Sequence, residues 1–379
     1  EYEAYINRAL YFGASGRTVQ GLLGAVFRKD YELEYPERYK EEHTTLFTPD
    51  GLTFRDYAMQ SVDEVITIGR VGCLVDVYAE GDTRAYATLY SAEKIINWET
   101  TLIDGKQTLT LVILEEEHLT RDDKDEFHKK RETQYRVLTL TEGVYTVDIY
   151  RKRRGGDGKS TGHQFVKVPE ETVQPARGGV KLDFIPFVFI NADDLTTGVG
   201  KPPLLDLVEV NLSHYRTSAD LEHGAHYTAL PTAWVAGFPT DAELRIGSRT
   251  AWVSNNPAAN AGFLEFKGQG LGALSGLKTD KERQMAVLGA RLLEESKKAV
   301  EATGTHEIRL SGEHSALSTI AQTCSNGLEQ VLKWVAWWSG ASDEQVTTVE
   351  FNLNNDFLPA RMSPQELTAL MQAWQQGGI

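Results

Sequence analysis

Between Pro202 and Ser339 the hydrophobic repeat changes period several times, and the order of those changes constrains the fold more than any other feature of the chain. Pro202-Pro203 opens a helical stretch to about His226, with Leu204, Val208, Leu212, Tyr215 and Ala219 along one stripe and Asp206, Glu209, Arg216 and Asp220 along the other. Pro231 ends it. Residues 229–275 read as short strands and turns, in which Trp234, Val235, Trp252, Val253, Phe263 and Phe266 are spaced by Gly, Pro and Asn. Helix returns from about Leu277 to Val300, with Met285, Leu288 and Leu292 on one face. Two amphipathic helices bracketing so small an insertion have no obvious core of their own, so their apolar stripes call for cover from elsewhere.

A polar stretch, Glu301 to Glu313, separates this unit from the most regular element of the chain, a helix over Ser315–Ser339. Its apolar positions Leu317, Ile320, Cys324, Leu328, Val331, Val335 and Trp338 follow near-heptad spacing. Small residues in its first half, Ala316, Ser318, Thr319, Ala321 and Ser325, let a neighbour approach closely. Trp334, Trp337 and Trp338 stand at the spacing by which a helix buries aromatics, and no basic groove accompanies them as a base-stacking platform would need.

Upstream, Tyr5, Ala9, Phe12, Val19, Leu22, Leu23 and Val26 predict helix over residues 1 to about 29. Thr53 caps a second helix to about Thr67 after the turn Pro49-Asp50-Gly51. From Gly72 to Pro186 the period is two, with strands at 73–78, 108–114, 135–140, 144–150 and 184–190 and hairpin turns at Asp104-Gly105 and Glu142-Gly143. The charged runs Glu115 to Lys130 and Arg151 to Gly162 read as solvated loops. A strand over Val346–Leu353 and a helix opened by Ser363-Pro364 close the pattern, which makes the chain α+β.

The 379 residues carry a formal charge of −15, which disfavours a protein that wraps nucleic acid through a basic stripe. Cys73 and Cys324 lie in apolar company with no paired spacing and read as reduced core thiols. No apolar run is long enough for a membrane helix and no signal peptide is present, so the expectation is a soluble, intracellular protein with no membrane contact. A start at Glu1 and a stop at Gly377-Gly378-Ile379 suggest the ordered part of a longer chain.

Catalytic strings are missing where they were sought. No phosphate-cradling G-x-x-x-x-G-K-[ST] occurs, and Gly268-Gln-Gly270-Leu-Gly272 lacks dinucleotide-site spacing. His306-Glu307 has Leu310 where a zinc protease needs its second His, and Glu222, His223 and His226 lack a further ligand. Ser91 to Lys94 and Ser275 to Lys278 fit S-x-x-K without partner motifs, and Glu115 to Glu117 with Asp122 and Asp123 read as solvated carboxylates. No cofactor or metal is expected, and the chain is not expected to be an enzyme.

Several strings in order carry a resemblance. Arg17 to Lys29, Ile68 to Asp76, Tyr90 to Trp98, Phe184 to Asp193, Pro203 to Leu207, His214-Tyr-Arg216, Ser218-Ala-Asp220 and Ile320-Ala-Gln322 together resemble tailed-bacteriophage portal proteins, in a group carried as a domain of unknown function in phages and prophages. The resemblance implies a subunit of a ring, commonly of twelve, at one capsid vertex of the virion, assembled in the host bacterial cytoplasm. Double-stranded DNA would pass through it without sequence readout. A terminase motor, a head-tail adaptor, and the major capsid and scaffolding proteins would be its partners.

On that pattern residues 1–200 are wing, 201–228 and 276–300 stem helices, 229–275 clip and 301–313 tunnel loop. Residues 314–340 are a long wing helix, 341–358 a wing strand and 359–379 the start of a crown. The implied DNA-facing residues are Lys297, Lys298, Thr303, Gly304, Thr305, His306 and Arg309. The intersubunit stem residues are Leu204, Val208, Leu212, Tyr215, Met285, Leu288 and Leu292, and the clip docking residues Arg245, Arg249, Asn255 and Asn256. The rival readings are a phage-encoded hydrolase, which the missing catalytic strings oppose, and another neck or adaptor ring, which the length opposes.

Overall fold

The structure, a computed structural model, describes residues 2–77, 84–122, 125–154, 163–228, 232–239, 244–245, 251–264, 269–293, 315–357 and 362–378. Helices α1 (Tyr2–Arg8) and α2 (Ala14–Val26) lead to β1 (Glu32–Glu34), α3 (Glu37–Thr45) and α4 (Phe54–Ile68). Strands β2 (Arg70–Val77), β3 (Ala85–Ser91), β4 (Ile95–Ile103), β5 (Lys106–Asp122), β6 (Asp125–Thr141), β7 (Val144–Arg154) and β8 (His163–Lys167) follow. Next come β9 (Ala176–Arg177), β10 (Val180–Lys181), β11 (Phe187–Asn191), α5 (Leu205–Thr228), β12 (Thr232–Ala236), β13 (Asn260–Leu264) and α6 (Gln269–Ala290). The chain closes with α7 (Ala316–Trp338), α8 (Asp343–Thr347), β14 (Glu350–Asn352) and α9 (Pro364–Gln376). This mixed α and β chain divides into two compact units, residues 1–17 with 206–289 and 368–379, and residues 18–205 with 290–367.

The larger unit is organised by α7, which packs against α4, β2, β3, β11 and β14. Ser315 caps it by accepting from the Ser318 N–H, and the near-heptad residues from Leu317 to Trp338 are all buried. It lies close against β11 at Gly327, where a Cβ would stand 2.5 Å from Ile190 Cγ1. β11, β2 and β3 form an antiparallel sheet in that order. β11 begins at Phe187 rather than Phe184 because Pro186 has no N–H to give a ladder. Helix α4 starts from a Thr53–Asp56 capping box and stops at Gly69, whose φ of 92° only glycine adopts freely.

β4 to β8 make a five-stranded antiparallel sheet in sequence order. Its turns Asp104-Gly105 and Glu142-Gly143 have positive φ at both positions, the conformation that matches the twist of a two-residue hairpin. Val112, Leu114, Leu138, Tyr145, Val147 and Ile149 fill its buried face. Glu116 lies on that face too. It accepts from Tyr90 Oη at 2.6 Å, Arg136 Nε at 2.7 Å and Gln134 Nε2 at 2.8 Å, while Arg136 also reaches Asp76 at 3.2 Å. Burial opposes the Glu116 charge, but Arg136 and the three donors outweigh it and hold the carboxyl below its ordinary range. Asp76 goes the other way, pushed up by burial in spite of Arg136.

Several expectations are corrected here. The run Glu115 to Lys130 is largely strand, where opposite charges pair, Glu117 with Arg131 of the neighbouring strand at 3.4 Å and Glu115 with Lys94, just before β4, at 2.6 Å. Glu116 is therefore not a solvated carboxylate. The first 29 residues are two helices broken over 9–13, beside Gly13. Residues 343–347 are helical rather than extended, nucleated by a Ser342–Gln345 capping box, and only Glu350–Asn352 is strand, paired with β1. Helix α6 begins at Gln269, inside the expected clip, and ends at Ala290. Strands β3, β4 and β8 and helix α3 had no counterpart in the sequence reading.

Candidate assembly surface

The smaller unit contains the two helices and the insertion that the sequence singles out. α5 and α6 run antiparallel: Gly224 faces Leu271, while Ser213 and Thr217 face Lys281. The seam is polar. His214, buried, donates from Nε2–H to Glu282 Oε1 at 3.2 Å, and Lys281 Nζ donates to the Ser213 carbonyl at 3.1 Å and to Thr217 Oγ1 at 2.6 Å. Asn211 donates to Tyr11 Oη at 2.7 Å and Ser15 Oγ at 3.1 Å, and Tyr5 Oη donates to Asp220 at 2.7 Å. Burial first, then Lys278 and Lys281, lower the His214 pKa against the pull of Glu282, so its ring is neutral at pH 7. α9 covers α6: a Cβ at Gly289 would strike Met371, and Gln375 Nε2 donates to the Met285 carbonyl at 3.0 Å.

The buried stripe of α5 is thus Leu207, Asn211, His214 and Ser218, one step out of phase with the apolar stripe. That apolar stripe is left partly open. Leu212 is 45% exposed, Val208 is half-buried, and the half-buried Tyr215 sets its ring edge on Tyr11 at 5.9 Å. On α6, Leu277 and Val287 are exposed.

The insertion is a hairpin, β12 paired antiparallel with β13. Asn256 orders the loop end of the ladder, accepting from the Ala258 N–H at 3.0 Å and donating to the Gly237 carbonyl at 3.2 Å. Trp234, Val235, Val253 and Phe263 are all exposed, Val253 by 82%. Adjacent strand residues point to opposite faces, so Trp234 and Val235 leave apolar surface open on both sides of the hairpin.

The expected stem face is therefore redistributed. Leu204 and Met285 are buried within the chain and cannot meet a neighbour. Leu288 and Leu292 are half-buried; Leu292 lies past the end of α6, in the larger unit, where its carbonyl accepts from the Leu317 N–H at 3.0 Å. Val208, Leu212 and Tyr215 remain available. Of the clip residues, Arg245 and Asn255 are exposed, Asn256 shapes the hairpin, and Arg249 lies outside the described residues. Lys297, Lys298, Thr303, Gly304, Thr305, His306 and Arg309 also lie outside them.

The sequence reading missed the Asn211–His214–Glu282 seam and the open apolar residues of the hairpin. Polar residues at 211, 214 and 218 were the available signal, since they share the spacing of a buried stripe. Trp337 and Trp334 pack on Phe184 and Trp338 is buried, so these aromatics belong to the interior. Among the described residues no group of three His, Cys, Asp or Glu side chains is placed to hold a metal, and no helix is long and apolar enough to cross a membrane.

Residues 203–339 match a family described as a domain of unknown function (DUF4055), a span that begins just before α5 and ends just after α7. Among solved structures, a chain from the "Neck of empty GTA particle computed with C6 symmetry" is similar over 99% of this chain and 88% of its own, at 10% identity and a TM-score of 0.43, too low to define a common fold. No curated protein matches the sequence.

Proposed function

We propose that the chain is a structural subunit of a phage particle, the portal: a ring at one capsid vertex that forms the channel for viral DNA and the platform on which a packaging motor and then head-tail connectors dock. It does no catalysis on this reading. The observation that carries the proposal is the pair α5 and α6. Two long antiparallel helices, about 36 and 33 Å at 1.5 Å per residue, are joined by a hairpin, and their buried seam is polar while apolar side chains stay open. A solitary protein gains nothing by that distribution, whereas identical neighbours side by side bury the open stripe.

The hairpin is then the clip, with Arg245, Arg249 and Asn255 toward the motor. The segment 301–313 meets DNA through Thr303, Gly304, Thr305, His306 and Arg309, joined by Lys297 and Lys298 just before it. The acidic balance suits a conduit, because a wall that neutralised phosphates tightly would hold its cargo. Native mass spectrometry with particle imaging tests the reading. The expected result is one closed species of about twelve copies with a central hole wide enough for a duplex, and a monodisperse monomer at high concentration would remove it.

A further inference from the structure

Four side chains that no sequence motif links meet where the end of α7 passes α3, all within the larger unit. Ser339 Oγ stands 3.1 Å from His43 Nε2, although the two residues are 296 positions apart. His43 Nδ1 stands 2.7 Å from Tyr35 Oη, which in turn lies 3.5 Å from the Leu332 carbonyl. The far end of this chain fixes its direction. A carbonyl only accepts, so Tyr35, whose phenol burial keeps protonated, donates to Leu332 and receives the His43 Nδ1–H. Nε2 is then the bare nitrogen, and the Ser339 hydroxyl donates to it. That is the tautomer in which an imidazole can take a proton from a serine.

The ring is ready to act as a base. Burial lowers the His43 pKa against the pull of Glu42, and Arg84 adds to the lowering, so the imidazole is neutral at pH 7. Ser339 is half-buried, so its hydroxyl can be reached from solvent. Gly340, at a φ of 98°, sets no side chain over it. Among the described residues, the one atom within 4 Å of a Cβ placed on Gly340 is Tyr39 Oη, at 3.6 Å. Tyr39 lies flat on His43, with ring centroids 5.6 Å apart and planes within 9°. A phenol donor thus stands beside the serine, on the side that the glycine leaves open.

We propose that Ser339 is a primed nucleophile that accepts an acyl group from small carboxylic esters, with His43 as its base, Tyr35 as the positioning residue and Tyr39 as donor to the oxyanion. Ser339 Oγ bonds to the carbonyl carbon as its proton passes to His43 Nε2, and the carbonyl oxygen takes its negative charge beside Tyr39 Oη. The intermediate collapses when the bond to the leaving oxygen breaks and that oxygen recovers the proton from Nε2. Ester and serine become acyl-serine and alcohol. The backbone N–H groups of Ser339, Gly340 and Ala341 are committed to the Val335, Trp337 and Ala336 carbonyls, so Tyr39 serves without the backbone donors of a full oxyanion hole. Water therefore removes the acyl group slowly, and the site is a single-use acceptor. It goes beyond the ring reading and does not depend on it.

The whole chain incubated with p-nitrophenyl acetate tests this. The expected result is a burst of one p-nitrophenolate per subunit and one acetyl group, which peptide mass spectrometry places on Ser339. Ser339→Ala should abolish the burst, and His43→Gln and Tyr39→Phe should each slow it about a hundredfold while melting temperatures show the variants folded. The pH profile of the unaltered protein is the second readout and needs no variant of buried His43. The titratable and charged groups that face the ring are Tyr35, Tyr39, Glu42 and Arg84. The burst rate should rise as His43 loses its proton below 6.5 and stay level from about pH 7 to 8.5. Acetyl groups on lysines alone, a burst unchanged in folded His43→Gln, or a rate that climbs steadily with pH overturns the site. Ser339→Ala should leave the oligomer mass unchanged, so the site and the ring fall separately.

Discussion

At the scale of single residues the structure spends its polar groups in sheltered places. His214 donates to Glu282 from a buried position, and His43 sits between Tyr35 at 2.7 Å and Ser339 at 3.1 Å. Burial lowers both pKa values below 6.5, so the unfolded chain binds more protons than the folded one as pH falls past that value. Their contribution to stability is complete above 6.5 and is lost as pH falls through the lowered folded pKa. The melting temperature is expected to drop between pH 7.5 and 5.5, and to drop less in His214→Gln, which keeps a donor but cannot titrate; equal drops in differential scanning fluorimetry would contradict this. Glu116 has a depressed pKa, so its contribution is present above the ordinary carboxylate range and is lost only at lower pH. Removing Arg136 would leave two buried carboxylates without their cation. Arg136→Met should cost about 3–5 kcal/mol in urea denaturation.

At the scale of elements, close approach and phase decide most. Gly327 lets α7 lie on β11, and Gly327→Ala pushes a methyl into Ile190. A loss of about 1–3 kcal/mol is expected in denaturation midpoints. α5 offers a sharper contrast. Leu212→Asp should leave the subunit folded while abolishing assembly, because that side chain is open, whereas Met285→Asp should unfold the smaller unit, because that one is buried. Circular dichroism with light scattering distinguishes the two outcomes.

The same helix shows what sequence can reveal. The existence of α4, α5, α6, α7 and α9 and the turns at 104–105 and 142–143 was legible, since capping residues, prolines and glycines act locally. The phase of α5 was not. Asn211 and His214 are buried only because Tyr11, Ser15 and Glu282 arrive from distant parts of the chain to satisfy them. The outer ends of β5 and β6 were hidden for a related reason: charged side chains stand on both faces there, so the strands lose the alternation that announces a sheet. The open hairpin residues Trp234 and Phe263 were visible as apolar, but sequence alone gave no sign that nothing in the described chain covers them.

At the scale of the whole molecule, the proposed ring assigns different tasks to different segments. Deleting Thr303 to Thr305 is expected to leave the assembled mass unchanged and to lower the yield of filled particles, as measured by nuclease-protected DNA. Full packaging by that variant would remove the DNA-facing assignment from 301–313. The chain's connectivity also sets a schedule. β1 near the start finds its partner only in β14, Glu32 opposite Asn352, and the sheet of β2, β3 and β11 is roofed by α7. Contacts that span so much of the chain form late. The larger unit cannot close until β14 has been made, so a chain that stops before residue 316 would have no lid for its sheet. The segment from α7 to β14 thus works as a late-arriving clasp: a chain without it leaves the sheet of β2, β3 and β11 uncovered and β1 without its neighbour.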